Sequence, residues 1–355
     1  MRIAVIGAGI NGILTSYYLS KRHQVTLIEK NHDVALEASN ANATLLLFKP
    51  NFNIFDFPPD IKSIYTATLL QPDWCVNYML SFTNQTEINN MQDQLSSLSK
   101  QEFIKNHFPL YKSLVYEDNE LLEDTYILNC RKFAIDLMKT LNIQLILKRS
   151  IKEIIGGTVI KLKLDDDTEL ETDAIVFCTG FHKDYPILPV TGISLINSQS
   201  PRLKDLEESL RADVHIDDEL VISQNNSDTR YSGGAIVRDA TRKELFRELF
   251  DGIEKQVQQN NFHYDQIVIA ARPVTPDGLP IIDKYPDHPN IYVNIGHGFY
   301  GWTWSFASAK LVSGLINNDL AREEVNIINK LKADRFTYSA TAALKHFEPV
   351  DSKFT

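Results

Sequence analysis

The sequence predicts an α/β fold in which a parallel sheet flanked by helices is interleaved with a second domain built on a mainly antiparallel sheet. Three observations predict it. A strand, a glycine-rich turn, a helix and a second strand follow one another at the start; a wholly apolar strand recurs far downstream at Ala174 to Cys178; and alternating apolar and polar stretches occur between Pro189 and Ile236. Arg2 to Ile6 reads as a short buried strand, Gly7 to Gly12 as a tight turn, Ile13 to Arg22 as a helix, and Gln24 to Glu29 as a strand parallel to the first. The corner Lys21-Arg22-His23-Gln24 lacks the glycine that usually supplies a left-handed cap, which puts the turn on His23 or Gln24.

From Phe48 to Asp124 the pattern loosens, with Pro50, Pro58, Pro59 and Pro72 punctuating aromatic and polar runs, as in an inserted segment. Helix returns at Arg131 to Leu141, followed by strands at Gln144 to Leu147 and Val159 to Leu164. Glu219 to Ser223 alternates as an antiparallel strand should, and Thr241 to Gln259 reads as an amphipathic helix. A last strand, Ile291 to Asn294, leads through Gly296, Gly298 and Gly301 into a helix at about Trp302 to Ile316, and the tail after Asn329 reads as a helix with a frayed end. The motifs of one domain are therefore scattered. The expected division is 1–48, 125–186 and 285–335 in a cofactor domain, 49–124 and 187–284 in a substrate domain, and 336–355 as a tail.

A chain of 355 residues has room for two domains, and its 36 Lys plus Arg against 46 Asp plus Glu leave a formal charge of −10. That balance disfavours nucleic acid or an anionic membrane as the main partner. Cys75, Cys130 and Cys178 are odd in number and widely spaced, so neither a disulfide framework nor a metal site is indicated, which favours a reducing, cytoplasmic setting. No run of about 18 apolar residues could span a bilayer; peripheral contact at the inner face of a membrane stays open.

Gly7-Ala8-Gly9-Ile10-Asn11-Gly12 matches G-x-G-x-x-G between strand and helix, with Glu29 ending the next strand, which is the Rossmann-like dinucleotide fingerprint. Gly7 permits the turn, Gly9 lets a pyrophosphate approach the backbone, Gly12 lets helix and strand pack closely, and the helix start offers N–H groups to an anion. Glu29 can accept from ribose hydroxyls and would repel a 2′-phosphate. This fingerprint does not separate FAD from NAD. Three further segments favour FAD: Glu37 to Thr44, small and hydrogen-bonding; the strand ending in Thr179-Gly180; and Asn294 to Thr303, whose helix start could face the electron-rich side of a reduced flavin.

Taken in order, the fingerprint, Glu37 to Ala43, Thr179-Gly180, Arg272-Pro273-Val274-Thr275-Pro276-Asp277-Gly278-Leu279-Pro280 and Gly296 to Thr303 resemble the D-amino-acid oxidase-like FAD-dependent oxidoreductases, most closely the branch with bacterial D-amino-acid dehydrogenases and glycine oxidase. The resemblance runs from Met1 to about Ile316, with Phe48 to Asp124 aligning loosely and Thr44 standing where a glycine is common. It implies non-covalent FAD contacted by Gly7, Gly9, Ile10, Asn11, Gly12, Glu29, Lys30, Ser39, Asn42, Ala43, Thr44, Leu45, Ile151, Thr179 and Gly180. On the flavin side it implies Arg272 and Gly296, His297, Gly298, Phe299, Tyr300, Gly301, Trp302 and Thr303.

The resemblance also implies that Arg272 holds a substrate α-carboxylate through two parallel hydrogen bonds. Tyr231 and Tyr300 are candidates to line the pocket, with packing the alternative for each in a chain of 14 tyrosines; Tyr300 is the better candidate because it sits inside the flavin-side junction. The implied reaction is hydride transfer from the substrate Cα to flavin N5, giving an imino acid that water hydrolyses to oxo acid and ammonia, with oxygen or a quinone as final acceptor. A D-amino acid is the preferred substrate. The alternatives are a glycine- or sarcosine-type amine oxidase, a flavin-bound interaction protein without turnover, and an NAD-binding dehydrogenase.

Overall fold

The structure, a computed structural model, describes residues 1–42, 45–47, 75–76, 79–81, 120–122, 125–128, 130–156, 159–198, 213–216, 221–224, 228–234, 250–251, 254–255, 263–286 and 288–336. Most of the loosely patterned segment from Phe48 to Asp124 and of the expected helix from Thr241 to Gln259 lies outside these residues, as does the tail beyond Phe336. The chain separates into two compact units, one of 1–40, 131–190 and 271–348, the other of 41–130, 191–270 and 349–355.

In the first unit, β1 (Arg2–Ile6), α1 (Ile10–Leu19) and β2 (Gln24–Glu29) form the opening motif. They are followed by α2 (Cys130–Thr140), β3 (Gln144–Leu147), β4 (Ile151–Ile155), β5 (Ile160–Leu164), β6 (Glu169–Thr172) and β7 (Ala174–Phe177). The C-terminal part adds the end of β8 (Gln266–Val274), from Ala271 on, then β9 (Ile281–Lys284), β10 (Ile291–Ile295), α3 (Gly301–Asn317) and α4 (Arg322–Leu331). The central sheet has the order β9-β10-β7-β1-β2-β3. Its neighbours pair in parallel except β9, which runs antiparallel to β10.

Burial explains this arrangement. β7 and β10 are buried at every position, as strands covered on both faces must be. On one face Ala4, Ile6, Ile28, Ile175 and Phe177 pack with Ile160, Leu162 and Leu164 from the antiparallel meander β6-β5-β4. On the other, α1 and α3 lie side by side, and Phe133 of α2 meets Trp302 and Phe306 of α3 at ring distances of 6.0 and 6.4 Å.

The corner after α1 is made without the left-handed residue expected at His23 or Gln24. Ser20 N–H donates to Ser16 O, both Arg22 and His23 N–H donate to Leu19 O, and Gln24 N–H donates to Met1 O, so right-handed turns carry the chain round. A left-handed cap does occur at α3, where Asn318 takes φ 55° and donates to Gly314 O. After Asn329, α4 runs on only to Leu331 and is followed by a short 3-10 turn, Ala333–Arg335; the rest of the tail expected to be helical lies outside the described residues.

The second unit contains a five-stranded sheet ordered Asp213–Ile216, Val221–Gln224, Thr229–Gly234, Leu188–Asn197 and β8. The first four strands pair antiparallel, as the alternation predicts. Ser194 and Ser232 hydroxyls meet at 2.9 Å across it, each buried. Together the two kinds of sheet bear out the α/β fold.

Candidate functional site

The turn between β1 and α1 is built around close approach. Gly7 takes φ +99°, and its N–H donates to Ile28 O at 2.7 Å. A Cβ on Gly12 would sit 1.8 Å from Gly7 O, and one on Gly7 would sit 2.8 Å from Cys178 O, so helix start, first strand and β7 touch backbone to backbone. The first helical bond runs from Ile13 N–H to Gly9 O. The N–H groups of Asn11 and Gly12 precede it and have no intrahelical acceptor, while that of Ile10 donates to Ser39 Oγ at 3.0 Å. No acidic residue occupies the first turn of α1. This donor set fits a diphosphate, because free N–H groups and the positive helix end face a surface that glycines keep bare.

Glu29 ends β2 with its carboxylate turned back to the glycine turn. Oε2 accepts from Ala8 N–H at 2.7 Å, and Oε1 accepts from the N–H and side-chain amide of Asn31 at 2.9 and 2.8 Å. Oε2, which accepts a single bond, keeps lone-pair capacity for a ribose hydroxyl. Glu29→Ala leaves buried donors unanswered, so folding should weaken by about 1–3 kcal/mol. Titration of the apoprotein with FAD and denaturation should both register the change; an unchanged urea midpoint would show that the carboxylate does not hold the turn.

Residues 34–40 fold over the same turn. Ala35 N–H donates to Ala8 O, and Ser39 O accepts from the indole Nε1 of Trp302 at 3.1 Å, which ties the start of α3 to the start of α1. A second tie runs through Ser308, whose hydroxyl reaches Asn11 Oδ1 at 3.4 Å and lies 2.9 Å from His297 Nε2.

Three stretches far apart in sequence converge beside this turn. Gly296 N–H donates to Gly180 O at 3.1 Å, joining the end of β10 to the end of β7. Val274 forms a β-bridge with His297, and a Cβ on Gly296 would meet Thr275 Cγ2 at 2.7 Å. Gly180 in turn faces Pro273, which a Cβ there would meet at 3.4 Å. Gly180, Gly296 and Gly298 all have positive φ, so the close approach needs glycine on conformational grounds as well.

Arg272 directly precedes Pro273 and Val274 at the end of β8. Its Nη1 is buried with no hydrogen-bond partner, and among the described residues it forms no ion pair. Its guanidinium lies 5.4 Å from the centroid of Phe299, a residue 47% exposed. Burial pushes its pKa down to about 10, so the group stays charged at neutral pH. A cation whose Nη1 is buried without a counter-charge is costly to keep, and a carboxylate ligand would answer it.

His297 differs from a solvent-facing base. It is 2% exposed, and burial pushes its pKa down to about 3. The hydroxyl of Ser308 can donate to Ser305 O or Asn11 Oδ1, which leaves its oxygen free to accept from Nε2–H. Because the folded pKa lies below the unfolded value of about 6.5, the stability from keeping this ring neutral is full above that value and declines as the pH falls toward 3. The decline should reach up to about 1.4 kcal/mol per pH unit in that window. Melting temperatures of the protein and of His297→Gln, compared from pH 7 to pH 4, should converge toward acid; parallel curves would contradict the assignment.

Tyr300 lies in the 3-10 turn Gly298–Tyr300, its ring 5.7 Å from that of Trp304, and burial pushes its pKa up to about 12. Trp302 and Thr303 are buried in the first turn of α3, and Gly301 packs against His297. Lys30 pairs with Glu37 at 2.7 Å on the surface, and Ile151 opens β4. Ala43 and Thr44 lie outside the described residues. In the second unit, Asn42 Oδ1 accepts from Cys130 Sγ at 3.3 Å, Leu45 begins a short strand paired with Ile127, and Tyr231 pairs with Leu195 and Ile222. Sequence reasoning missed Ser308 as the link between His297 and Asn11. A buried serine in an apolar helix carries no local signal of such a task.

Among the described residues no group of side chains is arranged to hold a metal ion, and no helix is long and apolar enough to cross a membrane. The glycine turn at a helix start, the acid ending β2 and the glycine-rich junction before α3 together fit a dinucleotide-binding α/β protein. Residues 2–66 and 73–315 match the family model described as FAD dependent oxidoreductase (DAO), and the chain belongs to that family. FAD is therefore its cofactor, as the three segments beyond the fingerprint suggest.

Among characterised relatives, D-amino acid dehydrogenase of Vibrio vulnificus is 26% identical over 201 residues, 52% of this chain and 45% of that protein. The chain thus spans less than half the length of that relative. D-amino acid dehydrogenase of Neisseria gonorrhoeae is 24% identical over 409 aligned positions, 89% of this chain and 96% of that protein. The crystal structure of glycine oxidase from Bacillus cereus superposes with a TM-score of 0.70 over 95% of this chain and 99% of that one, at 14% identity, which shows a shared fold.

Proposed function

We propose that the protein oxidises the C–N bond of a small amino acid, with D-amino acids as the preferred substrates, giving an imino acid that water converts to the 2-oxo acid and ammonia. The chemistry that FAD supplies when bound is acceptance of two electrons from the substrate. The observation that carries the reading is the buried, unanswered Nη1 of Arg272 at the meeting point of the three cofactor-side stretches. The curated relatives named D-amino acid dehydrogenase support it from a separate direction.

In this reading the first unit holds the cofactor, through Gly7 to Gly12, Glu29, Ser39, Thr179 and Gly180 and the turn from Gly296 to Thr303. Arg272 binds the substrate carboxylate with a charge-assisted fork and so orients the rest of the molecule. Tyr300 borders the same junction. No side chain is needed as a general base if the amine arrives neutral, so the protein contributes chiefly orientation and exclusion of water. Electrons leave to oxygen or to a quinone.

A panel of D-amino acids, L-amino acids, glycine and N-methyl amino acids, assayed with oxygen and with a soluble quinone, tests this function. Turnover of D-amino acids above the others is expected; activity confined to secondary amines would reject the preference, and none with any amine would reject the reaction.

A further inference from the structure

The strand that carries Arg272 does not end freely. After Val274 the chain makes a short turn, Thr275 to Pro280, before entering β9, and this turn is gripped from the C-terminal side of the molecule. Arg335, in the 3-10 turn after α4, donates from Nε to Asp277 Oδ2 at 2.7 Å and from Nη2 to Asp277 Oδ1 at 3.2 Å, to Leu279 O at 2.8 Å and to Pro280 O at 3.1 Å. Its Nη1 donates to Leu331 O and Lys332 O at 2.7 and 3.0 Å. Every N–H direction of the guanidinium is engaged, so it locks the end of α4 to the turn as a rigid fork.

Asp277 passes the constraint inward. Its Oδ1 accepts from Leu279 N–H at 3.0 Å and lies 3.2 Å from Thr275 Oγ1, which itself donates to Leu279 O at 2.6 Å. Thr275 is 1% exposed, presses its Cγ2 against Gly296, and stands three residues from Arg272. At Gly278, where φ is +75°, a Cβ would meet nothing within 4 Å, so that face of the turn is open among the described residues. The fork from Arg335 holds the turn from the side of α4, and Ala333 N–H to Asp283 Oδ2 at 3.0 Å ties the same segment to β9.

We propose that Arg335 is a positioning residue for substrate carboxylate binding, acting through Asp277 and Thr275 to fix the strand end that aims Arg272. The inference rests on Arg272 being the carboxylate-binding group. The two arginines divide the work: one has all its donors consumed by the protein, the other keeps Nη1 open.

The test is a double-mutant cycle in full-length, FAD-loaded protein, with acetate and its neutral isostere acetamide as probes at constant ionic strength, read from the absorbance of bound flavin. Arg335→Ala should raise the acetate Kd about tenfold, leave the acetamide Kd unchanged, and raise KM for the best amino acid of the panel more than it lowers kcat. Arg335→Lys should recover part of the loss. Arg272→Met should weaken acetate further, and adding Arg335→Ala to it should cost nothing more.

Equal weakening of acetate and acetamide by Arg335→Ala, or full additivity with Arg272→Met, would overturn the positioning role while leaving Arg272 in place. An acetate Kd unaffected by Arg272→Met would overturn the underlying reading and the inference with it. Asp277→Asn keeps the shape of the turn and carries the same test, with the same pattern expected, should Arg335→Ala not yield folded protein.

Discussion

Arg272→Ala is expected to purify yellow, with FAD bound, and to turn over amino acids with kcat/KM lowered about 10²–10⁴-fold. Two charge-assisted hydrogen bonds at about 1.5–3 kcal/mol each supply that range. The loss should fall on carboxylate-bearing substrates and spare neutral amines, because the guanidinium acts on the acid group alone. A second consequence runs the other way. Nη1 is buried without an acceptor, so the substrate-free protein keeps an uncompensated charge at some cost in stability. Arg272→Met, which keeps the bulk beside Phe299, should therefore melt at or above the temperature of the unaltered protein. Calorimetry checks this; a marked drop in Tm for the methionine variant would mean that the guanidinium is a structural tie.

Gly12→Ala should be the most damaging single methyl group in the molecule. The added carbon would fall 1.8 Å from Gly7 O and 3.0 Å from Gly7 C, and both belong to backbone that cannot yield without parting α1 from β1. We expect colourless protein, or none in the soluble fraction, with a loss of several kcal/mol or about the whole margin of a typical domain. Gly9 is more forgiving in the fold itself, because its Cβ would meet only Ser39 Oγ at 3.1 Å; Gly9→Val should fold and still fail to take up FAD by obstructing the pyrophosphate. Gly156→Ala, with nothing within 4 Å, is the control and should be indistinguishable from the parent in absorbance and Tm. A yellow Gly12→Ala variant of normal stability would refute the packing argument.

These outcomes separate what the sequence made legible from what it concealed. The opening motif was legible because spacing carries its physics: glycines at positions 7, 9 and 12 can be read directly as close approach, and the positive φ of Gly7 and the clash at Gly12 bear that out. β7 was legible because a strand buried on both faces is apolar throughout, and β10 because it runs into the glycines at 296, 298 and 301. The corner after α1 was misread, since absence of a left-handed residue was taken to require a substitute when right-handed turns suffice. Glu29 was assigned to a ligand, while its hold on Ala8 and Asn31 could not be seen, because a carboxylate accepting backbone N–H groups looks in sequence like any acid. Arg335 was invisible for the same reason. Its partners in the turn after β8 are 55 to 58 residues away, and only the fold brings them together.

The central claim is that distant stretches of this chain assemble one FAD site with a carboxylate-seeking cation beside it. The most direct measurement is the visible spectrum of the purified protein, recorded before and after anaerobic addition of a D-amino-acid mixture. Flavin bands at the outset that bleach on addition, and return when oxygen or a quinone is admitted, are the predicted result. A colourless protein that binds no added FAD, or a yellow one whose bands no amino acid reduces, would contradict it.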